Sequence, residues 1–112
     1  MSGKSLHDEL VWDLVDRLQR ESDPVRKHAL RTLLLEQEDR FGSVTEKLDR
    51  ADAHIAAGHF KISELERATA SLKARGADVA LAQNILRNLR EILATFGDYR
   101  ELVRQQLDRH AF

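Results

Sequence analysis

The sequence predicts an all-α fold built from antiparallel helical hairpins with coiled-coil seams, and three observations predict it. A hydrophobic repeat keeps one phase from Leu30 to Leu72, through Leu34, Phe41, Leu48, Ile55, Ile62 and Thr69 on one position. The other position reads Leu30, Gln37, Val44, Ala51, Gly58, Leu65 and Leu72. Alternating three- and four-residue spacing is the signature of one helical stripe packed against a partner helix. Helix-breaking signals then fall at Asp23-Pro24 and at Gly76-Ala77-Asp78. Finally, charged residues make up 33% of the chain, with one Pro and few aromatics, which suits exposed helices with narrow seams better than a thick core.

The first helix is opened by Ser5 with Asp8 three residues on, a variant of the capping box. Leu6, Leu10, Val11, Leu14, Val15 and Leu18 form its stripe. Asp23 as N-cap and Pro24 at the first helical position start the second helix, and the short link makes the two antiparallel neighbours. At Gly42-Ser43 two readings compete. Gly42 can end one helix while Ser43 and Glu46 form a capping box for the next. The heptad crosses this point in phase, however, and a Gly inside a helix costs only about 1 kcal/mol. That favours one long central helix from about Pro24 to Arg75, kinked at Gly42 and roughly 78 Å long at 1.5 Å per residue.

Gly76 closes that element and Asp78 caps the last helix, whose seam reads Ala82, Ile85, Leu89, Ile92, Phe96, Tyr99 and Val103. Folding it back opposes Leu65 to Leu89, Ile62 to Ile92, Gly58 to Phe96 and Ala51 to Val103, small against large. Gly58 is thereby expected to make room for the Phe96 ring. The chain divides into an N-terminal helical hairpin over 5–41 and a longer C-terminal one over 44–110. In this arrangement the two outer helices meet end to end beside Gly42. Leu86, Leu93 and Leu107 make a second stripe beside the seam, and Trp12, Leu33, Leu35 and Phe60 also lack an assigned partner. A leucine stripe that flanks a seam packs on something. A second copy completing a four-helix bundle by dimerisation is the economical answer, with Leu86, Leu93, Leu107, Trp12 and Leu33 as self-association or partner-binding residues. Folding of one hairpin on the other through a true turn at Gly42 answers it equally well.

The chemistry offered by the sequence is sparse. Net charge is −1 and cysteine is absent, which excludes disulfides, thiolate metal sites and thiol nucleophiles. No apolar run approaches the roughly 20 residues that span a bilayer, and the start lacks the apolar core of a signal peptide. A cytoplasmic protein without membrane contact is expected. The arginines of the last helix alternate with Glu91, Asp98, Glu101 and Asp108, so no basic face is offered to nucleic acid. No phosphate loop or nucleophile elbow occurs, no enzyme activity or cofactor is expected, and His54 and His59, five apart, diverge instead of sharing a metal-binding face. His54 through Gly58 is similar to the His-x-x-Lys-Gly of histidine phosphotransfer domains, with Ala57 at the Lys position. That resemblance implies His54 as a phosphoacceptor.

Residues 34–42, residues 48–58 and the Gly76-Ala77-Asp78 turn also resemble segments of a group of short, uncharacterised helical proteins of alphaproteobacteria. The resemblance implies a helical fold and a bacterial cytoplasmic setting, and it brings no activity and no functional residues. The leading expectation is therefore a non-enzymatic, homodimeric helical module that binds another protein. A histidine-phosphotransfer-like signalling domain using His54 is the alternative.

Overall fold

A computed structural model describes residues 6–109. Within them the chain forms four α-helices and no strand: α1 (Leu6–Arg20), α2 (Pro24–Asp39), α3 (Val44–Ala74) and α4 (Ala80–Arg109). The expected cap at Ser5 lies outside the described residues, as does His110. The all-α class and the two antiparallel hairpins are as the periodicity predicts. Side-chain contacts order the helices up, down, up, down. Asp8 and Trp12 of α1 meet His54 of α3, Gln19 at the end of α1 meets Asn88 of α4, and Asp39 at the end of α2 meets Tyr99.

The continuous helix over 24–75 is not what forms. α2 stops at Asp39, Gly42 takes φ +96°, and Ser43 starts α3 with a complete capping box. Ser43 Oγ accepts from the Glu46 amide at 3.2 Å while the Ser43 amide donates to Glu46 Oε1 at 3.3 Å. The in-phase heptad did not prevent the reversal, because both segments bury the same stripe on either side of the turn. The bundle is consequently 58 Å long and 32 Å by 29 Å across. α1 does not meet α4 end to end; it lies along it, and one chain supplies all four helices of the bundle.

A side chain at Gly42 has a poor site. Its Cβ would lie 3.1 Å from Glu46 Cβ and 3.2 Å from Arg50 Nη1, at a backbone angle that L-residues rarely adopt. Gly42→Ala is therefore expected to lower stability by about 1–2 kcal/mol. Thermal unfolding measures it, and an unchanged or raised midpoint would mean that the turn does not depend on glycine.

The other junctions follow the local signals. Pro24 opens α2 after Asp23, although the Asp23 side chain makes no capping bond and instead sits 3.8 Å from Arg26 Nε. α3 ends in a Schellman pair: the Ala77 amide donates to Leu72 O and the Gly76 amide to Lys73 O, with Gly76 at φ +74°. Asp78 Oδ1 then accepts from the Ala80 amide.

The main core joins Val11, Val15 and Leu18 of α1 with Leu34 of α2, Ile62 of α3, and Leu86, Leu89, Ile92 and Phe96 of α4. A smaller cluster at the Gly42 end holds Ala51, Tyr99 and Val103. α4 is buried on two sides, towards α3 and towards α1, so both of its apolar stripes are used. The neighbour of Gly58 differs from the one expected. A Cβ on Gly58 would meet Leu93 Cδ1 at 2.7 Å, so Gly58 accommodates Leu93 and not Phe96. The Phe96 ring lies against His54 instead, at 5.6 Å between centroids.

Candidate functional site

The chemistry of this bundle is concentrated in a buried polar layer near the Gly42 turn. On α2, Leu34 and Glu38 occupy successive turns of the inner face, and both are fully buried. On α3, His54 is 4% exposed. Its Nδ1 lies 2.6 Å from Glu38 Oε1 and its Nε2 lies 3.3 Å from Asp8 Oδ1. One imidazole thus sits between two carboxylates, each brought by a different helix. The Glu38 contact is short but is an ion pair by proximity, not a well-aligned hydrogen bond. Neither carboxylate oxygen of Glu38 has a hydrogen-bond partner among the described residues.

Aromatic rings close the layer. Trp12 meets His54 edge-on at 5.4 Å, Phe96 covers a further side, and Lys61 Nζ lies 5.0 Å from the centre of the Trp12 ring. Burial is the largest influence on the His54 pKa and lowers it, yet the Glu38 and Asp8 carboxylates together outweigh it and raise the pKa above the ordinary imidazole value. His7, one turn from Val11, moves the other way: burial first, then the Arg50 guanidinium, hold its pKa down. Arg50 Nη2 donates to the backbone carbonyls of Glu38, at 3.0 Å, and of Phe41, so it ties the end of α2 to α3 without reaching the Glu38 carboxylate. Below this layer, Tyr99 donates to Asp39 Oδ1 at 3.0 Å, and Lys47 donates to the same oxygen at 3.1 Å. Burial first, and then Asp39, push the Tyr99 phenol well above its usual range.

A second buried polar group anchors the far end of α1. Asn88 Nδ2 donates to Gln19 O at 2.8 Å and Glu21 O at 3.2 Å, carbonyls that the end of α1 leaves without helical partners. Its Oδ1 accepts from Lys27 Nζ at 2.8 Å.

These positions revise the sequence expectations. His54 is withdrawn from solvent with both ring nitrogens facing carboxylates, a poor setting for a phosphoacceptor, which needs an open nitrogen and cationic surroundings. Leu86 is buried inside the chain and Leu93 is part-buried against the core, so neither forms an outward self-association stripe. Trp12 packs on the same core, Leu107 is part-buried, and Leu33 is 47% exposed. Glu38 and Asn88 are not among the residues that the sequence patterns point to. The available signal was their spacing: Leu30, Leu34 and Glu38 share one face of α2, and Ile85, Asn88 and Ile92 share one face of α4.

At the surface, α2 and α4 leave an open groove of about 380 Å³ beside the smaller cluster. Leu35, Tyr99, Leu102 and Val103 supply its apolar lining, and Glu36 and Gln106 stand at its rim. Leu102 is 60% exposed there. Among the described residues no three His, Asp or Glu side chains are grouped to hold a metal ion, and no helix is long and apolar enough to cross a membrane. Compared with protein-family models, curated proteins and solved structures, the chain matches none.

Proposed function

We propose that this chain is a non-enzymatic helical interaction module that associates with a second copy of itself through the α2–α4 groove. Exposure of Leu102 beside the part-buried Leu35, at the edge of the smaller cluster, is the observation that carries the reading. Burying such a leucine on a partner is worth roughly 1.5–3 kcal/mol before ordering costs. Its apolar lining is of the kind a helix-in-groove site uses, in which one amphipathic helix lays its apolar face between two others. α4 itself offers that face, since Leu102 projects from the same helix that forms one wall. A two-fold arrangement would let each Leu102 enter the partner's groove. With a net charge of −1, long-range repulsion does not oppose the pairing. The setting that suits such a module is the cytoplasm, and binding of a different protein in the same groove would use the same contacts.

Leu102→Glu tests the reading. The wild-type light-scattering mass is expected to rise towards twice the chain mass with concentration, while the variant stays monomeric. Its thermal midpoint should stay close to the wild-type value, because an exposed residue contributes within about 0.5 kcal/mol to folding. A wild-type chain that remains monomeric at every concentration, or a variant that still dimerises, removes the groove as a self-association site.

A further inference from the structure

We propose that Asp8, His54 and Glu38 form a proton-operated latch that holds α1 and α2 on α3, closed while the His54 ring carries both protons and released when it loses one. The geometry supplies the reason. Two carboxylates from two different helices face the two nitrogens of one imidazole, at 2.6 Å and 3.3 Å. Only the doubly protonated ring is a cation with no lone pair facing either carboxylate. The neutral ring must turn a lone pair towards one carboxylate oxygen, which also offers a lone pair, and the attraction on that side becomes repulsion.

Glu38 makes the loss expensive. It is 0% exposed, so water cannot replace the missing cation without movement of α2. The remaining charged and titratable neighbours do not substitute. From α1, His7 is held towards its neutral form by burial and by Arg50. On α3, Arg50 is committed to the carbonyls of Glu38 and Phe41. On α2, Asp39 is engaged by Lys47 and Tyr99. α4 presents the uncharged Phe96 ring, with Tyr99 one turn on. Among the described residues, no other cation forms an ion pair with the Glu38 carboxylate. Leu34 and Glu38 are the fully buried residues of α2, so the latch is one of that helix's two innermost contacts.

The direction with pH follows. The folded pKa of His54 is raised, so the latch contributes fully below the ordinary imidazole value of about 6.5 and is lost as pH rises through the folded value. Release is an alkaline event, and the segment released is the C-terminal half of α2, next to the Gly42 turn.

The test follows the full-length chain from about pH 5.5 to about pH 9, the window of a displaced histidine. The His54 ring protons are followed by NMR, the thermal midpoint by circular dichroism, and amide exchange in α2 is corrected for its intrinsic pH dependence. The expected result is a His54 titration midpoint above that of a free imidazole and a fall in thermal midpoint of about 5 °C or more across that titration. Corrected amide exchange around Leu34–Glu38 should rise by about tenfold while that around Phe96 does not. In His54→Gln the fall over the same window should disappear, whatever the absolute midpoint. If that variant does not fold, Glu38→Gln keeps the imidazole and should lower its titration midpoint. A wild-type midpoint at or below that of a free imidazole overturns the latch. So does a wild-type profile parallel to that of His54→Gln, or a Glu38→Gln chain with an unmoved His54.

Discussion

Glu38→Ala is expected to destabilise the bundle by about 3–5 kcal/mol, because it breaks a buried ion pair by removing its fully buried member. The His54 ring keeps only its longer contact to Asp8. A space opens beside Leu34, and α2 loses one of its two buried residues. At about 4 °C or more per kcal/mol for a domain of this size, the thermal midpoint should fall by roughly 12–20 °C. Circular dichroism during a thermal scan at neutral pH measures it. The paired change Glu38→Leu with His54→Leu is expected to recover most of that loss, since hydrophobic replacements of a buried ion pair are commonly neutral or stabilising. Recovery would show that the layer is present for something other than maximum stability, which is what a latch requires. A single variant costing less than about 1 kcal/mol would mean that Glu38 does not depend on His54.

Phe96→Ala should have a comparable effect through a different cause. Phe96 is 1% exposed in the main core and also forms one wall of the His54 layer. Truncating a buried phenylalanine loses transfer energy and leaves a cavity that the neighbours fill only partly, at about 3–5 kcal/mol. Against a total of about 5–15 kcal/mol for a domain of this kind, roughly a fifth of the stability or more would be gone. Phe96→Leu keeps most of the volume and should cost clearly less. Equal losses for the two variants, measured by denaturant unfolding, would show that ring geometry and not volume is what the site needs.

The two variants report on features that differ in how legible they are in the sequence. Phe96 stands on a seven-residue stripe of α4, and its burial follows from periodicity alone. Glu38 is one acidic residue among many, and only its place on the Leu30–Leu34 face distinguishes it locally from Glu36 or Asp39. It is recognisable only because Leu34 precedes it by four residues and a histidine on another helix meets it. Leu86 and Leu93 illustrate the same gap. Their spacing correctly marked an apolar stripe with a partner, while the partner proved to be within the chain. Gly58 makes room for a bulky neighbour as its spacing predicts, but the neighbour is Leu93 and not Phe96.

What the sequence determined by itself is everything carried by residues within a turn or two of each other. Apolar stripes at helical spacing, Pro24 at the start of α2, the Gly76 and Asp78 pair between α3 and α4, and the Ser43–Glu46 capping box are of this kind, because propensities and caps act over three or four residues. The tertiary structure alone decided whether Gly42 would bend a helix or reverse the chain. A glycine can do either at a cost near 1 kcal/mol, and the choice is set by the larger gain from laying one hairpin against the other. It also decided the direction in which the His54 pKa moves, since a pKa depends on which charges other helices bring within a few ångströms, and no local pattern encodes that distance.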